Sequence, residues 1–281
     1  APVGSVAAQQ DTLTMTVTDV PGLEELRRDW GSFKDTLEAN TDYSFEFAPV
    51  TSRTAAVELL RSERVDLVLT GPSEYVVMRQ LADAEPIIGF SRPDYFSGII
   101  TMADSGITSI EDLEGRKVAV GDVGSTSTHL GPLQVMADYG LNPQEDIDLI
   151  HTTERIGFES MRKGDVAAWG TNYMDDYMRL RERADDLSAG AVRVIGRGPD
   201  LPNDVLVAGD HVDDAVISAM QDVMTDSSDA LVEAIVEEGG VENRKYEGMR
   251  FIRNIDDSDY NYIREAFRSI GQDQFGSFPG E

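Results

Sequence analysis

"KVAVGDVGSTSTHLGPLQVMADY", residues 117–139, decides the fold. It opens on a short apolar run, Val118 to Val120, of the length expected for a buried strand. It then passes through Gly121 and Gly124 into four hydroxyl residues, Ser125 to Thr128. The apolar stretch from Leu130 to Tyr139 comes next, and a helix is predicted over 126–139. Strand, tight loop and helix in this order make one unit of a parallel sheet covered by helices. The first turn of a helix has four N–H groups without internal partners, and the macrodipole adds about half a positive charge there. Ser125, Thr126 and Ser127 can add hydroxyl donors without burying a charge, and glycine lets the backbone come close to a ligand. The loop has no Lys or Arg, so neither G-x-x-x-x-G-K-[ST] nor G-x-G-x-x-G is present. Such a loop suits reversible binding of a small tetrahedral oxyanion. From the loop alone, an ordinary Ser/Thr cap is the alternative.

The same unit recurs on either side. Residues 13–20 alternate like a strand, and 22–40 carry Leu23, Leu26, Trp30, Phe33 and Leu37 on one helical face. Strands are predicted at 43–50, 65–71 and 86–90, with helices at 54–64 and 72–84. A second series runs as strand 117–122, helix 126–139, strand 146–152, helix 157–165, strand 166–170, helix 172–184 and strand 191–197. The tail is helical over 211–238 and 256–270. Units of about thirty residues with this alternation give mainly parallel sheets. The two series match in layout but not in residues, which predicts two lobes without a sequence repeat. Open α/β sheets bind ligands at the carboxyl ends of their strands, so the expected site is a cleft between the lobes.

Composition narrows the classes. The 281 residues hold 52 acidic against 24 basic side chains, a formal net charge of -28, and only Lys34, Lys117, Lys163 and Lys245 among the basics are Lys. The acids are spread in pairs such as Asp175-Asp176 and Glu237-Glu238, as in proteins adapted to molar salt, where screening acts over ~3 Å. A field this negative excludes nucleic acid as a partner. No run approaches the ~18 apolar residues that span a membrane. Residues 1–11, small and aperiodic, read as a tether. Cysteine is absent, which removes disulfides and thiolate chemistry. The three histidines, His129, His151 and His211, lie at no metal-ligand spacing, so no metal or cofactor is expected. Ser125, His129 and Asp122 do not make a catalytic triad without a G-x-S-x-G elbow. His129 is expected at the surface or behind the site.

Several motifs together resemble one family. "VGSTSTHLGPLQVMADYGLNP" (123–143) is similar to the S-T-S-G-x-x-x-P…L…G signature of the phosphate-, phosphite- and phosphonate-binding proteins of ABC transporters, the PhnD-like family. "VELLRSERVDLVLTGPSEYV" (57–76), "DYFSGIITMADSGITSIEDLEGRKVAVGD" (94–122) and "MRKGDVAA" (161–168) match further motifs in order. The resemblance covers nearly the whole chain. It implies an α/β, two-lobed type II periplasmic-binding-protein fold, with 12–102 plus 200–281 as one lobe and 103–199 as the other. It implies a solute-binding protein that is not an enzyme and takes a small phosphorus oxyanion. This protein would hand its ligand to a membrane permease, act as a monomer outside the cytoplasm, and be tethered by an N-terminal lipid anchor. Alternatives are an enzyme on the same fold (a phosphate-ester hydrolase or a pyrimidine-precursor synthase) and a sensory ligand-binding domain.

The resemblance also assigns residues. Ser125, Thr126 and Ser127 fall on the family's anion-binding triplet. Tyr95 falls on a tyrosine able to reach a ligand oxygen, or is an interface aromatic. Tyr75 and Ser73 open the helix at 72–84, as ligand donors or as packing and capping groups. The chain departs from the family pattern at three places. Ser52-Arg53 stands for Asp-Tyr, Thr153-Glu154-Arg155 for Ser-His-Asp, and Asn172 for an acid. These replacements argue against an aminoalkylphosphonate. Arg53 and Arg155 either add charge-assisted donors for a dianion or pair within the acidic coat. Glu154 and Asn172 enter the site by position, and Trp169 is a pocket wall or a core residue.

Overall fold

Residues 12–273 are described by the computed structural model, and the expected tether at 1–11 lies outside them. The strands are β1 (Thr12–Val17), β2 (Ser44–Phe47), β3 (Leu67–Thr70), β4 (Glu85–Phe90), β5 (Ser97–Met102), β6 (Lys117–Val120), β7 (Asp148–His151), β8 (Ala168–Asn172), β9 (Val192–Arg197), β10 (Asp204–Ala208) and β11 (Phe251–Ile252). The α-helices are α1 (Leu23–Asn40), α2 (Arg53–Arg61), α3 (Pro72–Ala82), α4 (Gly131–Asp138), α5 (Glu154–Lys163), α6 (Arg179–Arg183), α7 (Asp214–Asp226), α8 (Ser228–Val236) and α9 (Asn261–Ser269). Among the described residues, no helix is long and apolar enough to cross a membrane. The chain forms two units, one of residues 12–70, 82–91 and 205–254, the other of 71–81, 92–204 and 255–273.

The first unit is built on a six-stranded sheet of order β11-β4-β10-β3-β1-β2. β1 pairs parallel with β2 and β3, as the alternation of strand and helix predicts, while β10 and β11 run antiparallel to β3 and β4. β10, DVLVA, is fully buried and was not among the strands expected from sequence. On α1, Leu26, Trp30, Phe33 and Leu37 are each no more than 1% exposed. They recur at three- and four-residue spacings, so one helical stripe enters the core. Trp30, Phe33, Phe90 and Tyr246 meet edge to face at its centre. A fully buried side chain of this size contributes about 1.5–3 kcal/mol.

The second unit holds a five-stranded sheet of order β7-β6-β8-β5-β9. β6 is parallel to β7 and β8, whereas β5 is antiparallel to β8 and β9. The sequence groups β5 with the first series, through the range 12–102. Its pairing puts it inside the second sheet instead, because Ile99 and Ile100 are wholly buried between β8 and β9. The register aligns the strand ends. Val120 lies beside His151, Ser97 beside Asn172, and Gly98 beside Arg197. The carboxyl ends of four strands and the amino end of β5 therefore share one edge.

Two helices at that edge differ from expectation. The stretches expected as helices over 126–139 and 172–184 each begin with a wide π-type turn, Thr126–Leu130 and Tyr173–Met178, before α4 and α6. In the first, the Leu130 N–H reaches back five residues to the Ser125 carbonyl at 3.0 Å. π-turns recur where a helix start is shaped by function. α5 starts earlier than the expected 157, because Thr153 Oγ1 accepts the Ile156 N–H and caps it.

Candidate oxyanion site

The loop after β6 is fixed by its own backbone. The Gly121 N–H donates to the Thr128 carbonyl at 2.7 Å, and the Ser125 N–H to the Asp122 carbonyl at 3.0 Å. A Cβ at Gly121 would overlap Thr128 Oγ1, and Gly124 sits at φ 89°, which other residues rarely adopt. The glycines are thus required by the turn itself. Ahead of its first hydrogen bond, the turn leaves the N–H groups of Thr126, Ser127 and Thr128 without partners inside it.

The hydroxyls of the turn are oriented from outside. The Ser73 N–H, at the start of α3, donates to Thr126 Oγ1 at 3.1 Å. Asn172 Nδ2, at the end of β8, donates to Ser127 Oγ at 3.1 Å. The Asn172 amide cannot be turned around, because its Oδ1 accepts the Asp175 N–H at 2.9 Å. A hydroxyl that accepts from the protein keeps its single proton for another acceptor. Thr126 and Ser127 are therefore held as donors, at 5% and 6% exposure. Ser125 makes no side-chain cap bond, so its hydroxyl is not spent on capping. Ser97 Oγ donates to the Ser127 carbonyl at 2.8 Å and fixes the turn from β5. Ser73 Oγ lies 2.9 Å from the Gly124 carbonyl and 3.0 Å from Glu74 Oε2, two acceptors that share one proton.

Tyr95 is buried beside this turn, with Ser127 as a polar neighbour. Burial pushes its phenol well above the ordinary tyrosine range, against the pull of the Arg92 guanidinium. That guanidinium lies 3.8 Å over the Tyr95 ring and donates to Asp175 Oδ2 at 2.7 Å. Neither Arg92 nor Ser97 was singled out from sequence. Arg197 was missed as well. It ends β9 at the same edge, 5.0 Å from the Phe96 ring and 4.7 Å from that of Tyr173, and forms no ion pair with the described residues. Below them, Asp176 is raised to about 6 by burial and by the nearby Glu154 and Asp175 carboxylates, against the hydroxyl bond from Thr171 at 2.7 Å.

The remaining sequence candidates divide. Glu154 and Arg155 open α5 at the same edge and are exposed, and Arg155 makes no ion pair with the described residues. Arg53 opens α2 in the other unit. Tyr75 is wholly buried, packs its ring at a tilt against Tyr260 at 4.3 Å, and donates its proton to Asp257 at 2.7 Å, where Arg264 also binds. Its hydroxyl is thus used in packing α3. Trp169 is a core residue, 1% exposed and against Phe158. His129 is not at the surface: it is 4% exposed, and its Nδ1 accepts the Gly124 N–H at 2.9 Å.

Residues 21–273 match the family described as ABC transporter, phosphonate, periplasmic substrate-binding protein. The chain belongs to this family. Among the phosphonate-family binding proteins, the phosphate-import protein PhnD of Mycolicibacterium smegmatis is 24% identical over 94% of this chain and 87% of its own length. A Xanthomonas citri protein solved with ATP shares 15% identity and a TM-score of 0.71, covering 94% of this chain and 98% of that one. PhnD1 from Prochlorococcus marinus, solved with methylphosphonate, shares 15% identity and a TM-score of 0.61, covering 94% of this chain and all (100%) of that one. The two-sheet α/β architecture is that of periplasmic binding proteins.

Proposed function

We propose that this phosphonate-family binding protein captures a small phosphorus oxyanion on the turn at Ser125, Thr126 and Ser127 and delivers it to its permease. The observation that carries this reading is the pair of bonds from Ser73 and Asn172, which orient the Thr126 and Ser127 hydroxyls as donors, with Ser127 also hydrogen-bonded to the Tyr95 phenol. The three open N–H groups of the turn add donors, and Tyr95 adds a phenol that stays protonated at neutral pH. Charge-assisted bonds from neutral donors in a buried setting are stronger than neutral pairs. Arg155, at the edge, serves as an outer cation that favours a dianion, and Glu154 marks the rim. Ser73 and Asn172 orient donors, and Tyr75 anchors α3. The protein acts without a cofactor, carries out no reaction on its ligand, works as a monomer, and is held outside the cytoplasm by an N-terminal lipid anchor. The methylphosphonate bound by PhnD1 and the phosphate import of the Mycolicibacterium protein support this ligand class.

Calorimetry in molar salt, on protein stripped of ligand by unfolding and refolding, tests the reading with phosphate, phosphite, methylphosphonate, 2-aminoethylphosphonate and sulfate. Tight binding of one phosphorus oxyanion, with sulfate and the amine-bearing compound weaker, supports it. Binding of none, or turnover of a phosphate ester, overturns it.

A further inference from the structure

Two histidines grip the loop that carries the turn. His129 Nδ1 accepts the Gly124 N–H at 2.9 Å, so that nitrogen bears no proton and the neutral ring keeps its proton on Nε2. His151 Nδ1 lies 2.7 Å from the Gly121 carbonyl, which can only accept, so there Nδ1 carries the proton. The rings meet edge to face at 4.6 Å. The loop from Gly121 to Gly124 is therefore held at both ends by opposite tautomers. These two contacts respond differently to acid. A proton added to His151 goes to Nε2 and leaves the bond to Gly121 in place. A proton added to His129 goes to Nδ1 and faces the Gly124 N–H, donor against donor, so that bond cannot persist.

We propose that His129 is a positioning residue for oxyanion binding, acting through the Gly124 N–H, and that its protonation loosens the turn and weakens the ligand. This inference rests on the oxyanion reading of Ser125 to Ser127. Gly124 directly precedes Ser125, so a displaced 123–124 peptide carries the first donor with it. The titratable group facing His129 from β7 is His151, and Asp122 is the charged residue of the loop. Among the described residues, the hollow that His129 lines is formed by uncharged groups such as Leu133 of α4, Ile147, Leu149 of β7, Ile270 and Gln272.

The test compares the full chain with His129→Asn and His129→Leu. Asn places an amide oxygen where Nδ1 stands and does not titrate. Phosphate, phosphite and methylphosphonate are titrated calorimetrically from about pH 8 to about pH 5.5, across the ordinary imidazole range. The ratio of wild-type to His129→Asn affinity cancels titration of the ligand itself. That ratio is expected to fall about tenfold toward acid, the scale of one net hydrogen bond, with His129→Leu weak at every pH. A flat ratio, or a ratio that rises toward acid, overturns the proposal while leaving the oxyanion reading intact. Failure of every protein to bind phosphate, phosphite or methylphosphonate at pH 8 overturns that reading and the proposal with it. Independently of ligand, nitrogen NMR of the two rings is expected to show His129 protonated on Nε2 and His151 on Nδ1. An Nδ1 proton on His129 at pH 8 contradicts the proposal outright.

Discussion

Asn172 Nδ2 lies 3.1 Å from Ser127 Oγ, with both side chains buried, although 45 residues separate them. The contact exists because β6 and β8 are parallel neighbours, so the turn after one faces the last residue of the other. It turns a surface-type hydroxyl into a directed donor.

Replacing Asn172 therefore affects binding by sign as well as by loss. Asn172→Ala removes the orienting donor and is expected to weaken a phosphorus oxyanion about tenfold. Asn172→Asp draws the Ser127 proton to itself and adds a charge beside the anion, with an expected loss of about a hundredfold or more. Calorimetric titration of both variants checks this. Equal, small losses would mean that Asn172 does not direct Ser127.

Gly124→Ala forces a side chain into φ 89°, at a cost of about 1–2 kcal/mol. Gly140, at φ 97° with open space around it, supplies the comparison. Both variants are expected to melt lower, but only Gly124→Ala should lose ligand affinity. Thermal melts with parallel titrations separate the two effects, and unchanged affinity in Gly124→Ala would show that the loop does not shape the site.

Asp176 supplies a pH prediction. Its folded pKa of about 6 lies above the unfolded value of about 3.9, so the fold holds its proton more tightly. Its contribution is favourable below about pH 4 and is lost as pH rises through about 6. At pH 8 the ionised, partly buried carboxylate opposes folding. Asp176→Asn is expected to raise the melting temperature at pH 8 by about 2–4 °C, with the gain shrinking by pH 5. A gain independent of pH would contradict the assignment.

Parts of this structure were legible in the residues and parts were not. The strand at 117–120 and the hydroxyl turn were readable because a short Val-rich run, glycines and Ser/Thr each have local causes. The direction of β5 was not, since a buried apolar run such as Gly-Ile-Ile does not state its sheet or its sense. The wide turn at Thr126–Leu130 was missed because five residues carry too little periodicity to distinguish π from α spacing. Tyr75 was read from its place at a helix start as a ligand donor or a packing group, and the partner its hydroxyl takes, Asp257, is 182 residues away. His129 had one local signal, a ring five residues after a glycine whose N–H needed an acceptor.

Whether the Ser125–Ser127 turn holds the ligand is decided by calorimetry of the stripped Ser125→Ala/Ser127→Ala double variant. The titration is run in molar salt with the oxyanion that wild type binds best. Two lost charge-assisted donors predict affinity lower by about a thousandfold or more, with a modestly lower melting temperature from the unpaired Asn172 amide. Affinity equal to that of wild type would contradict a ligand held by this turn.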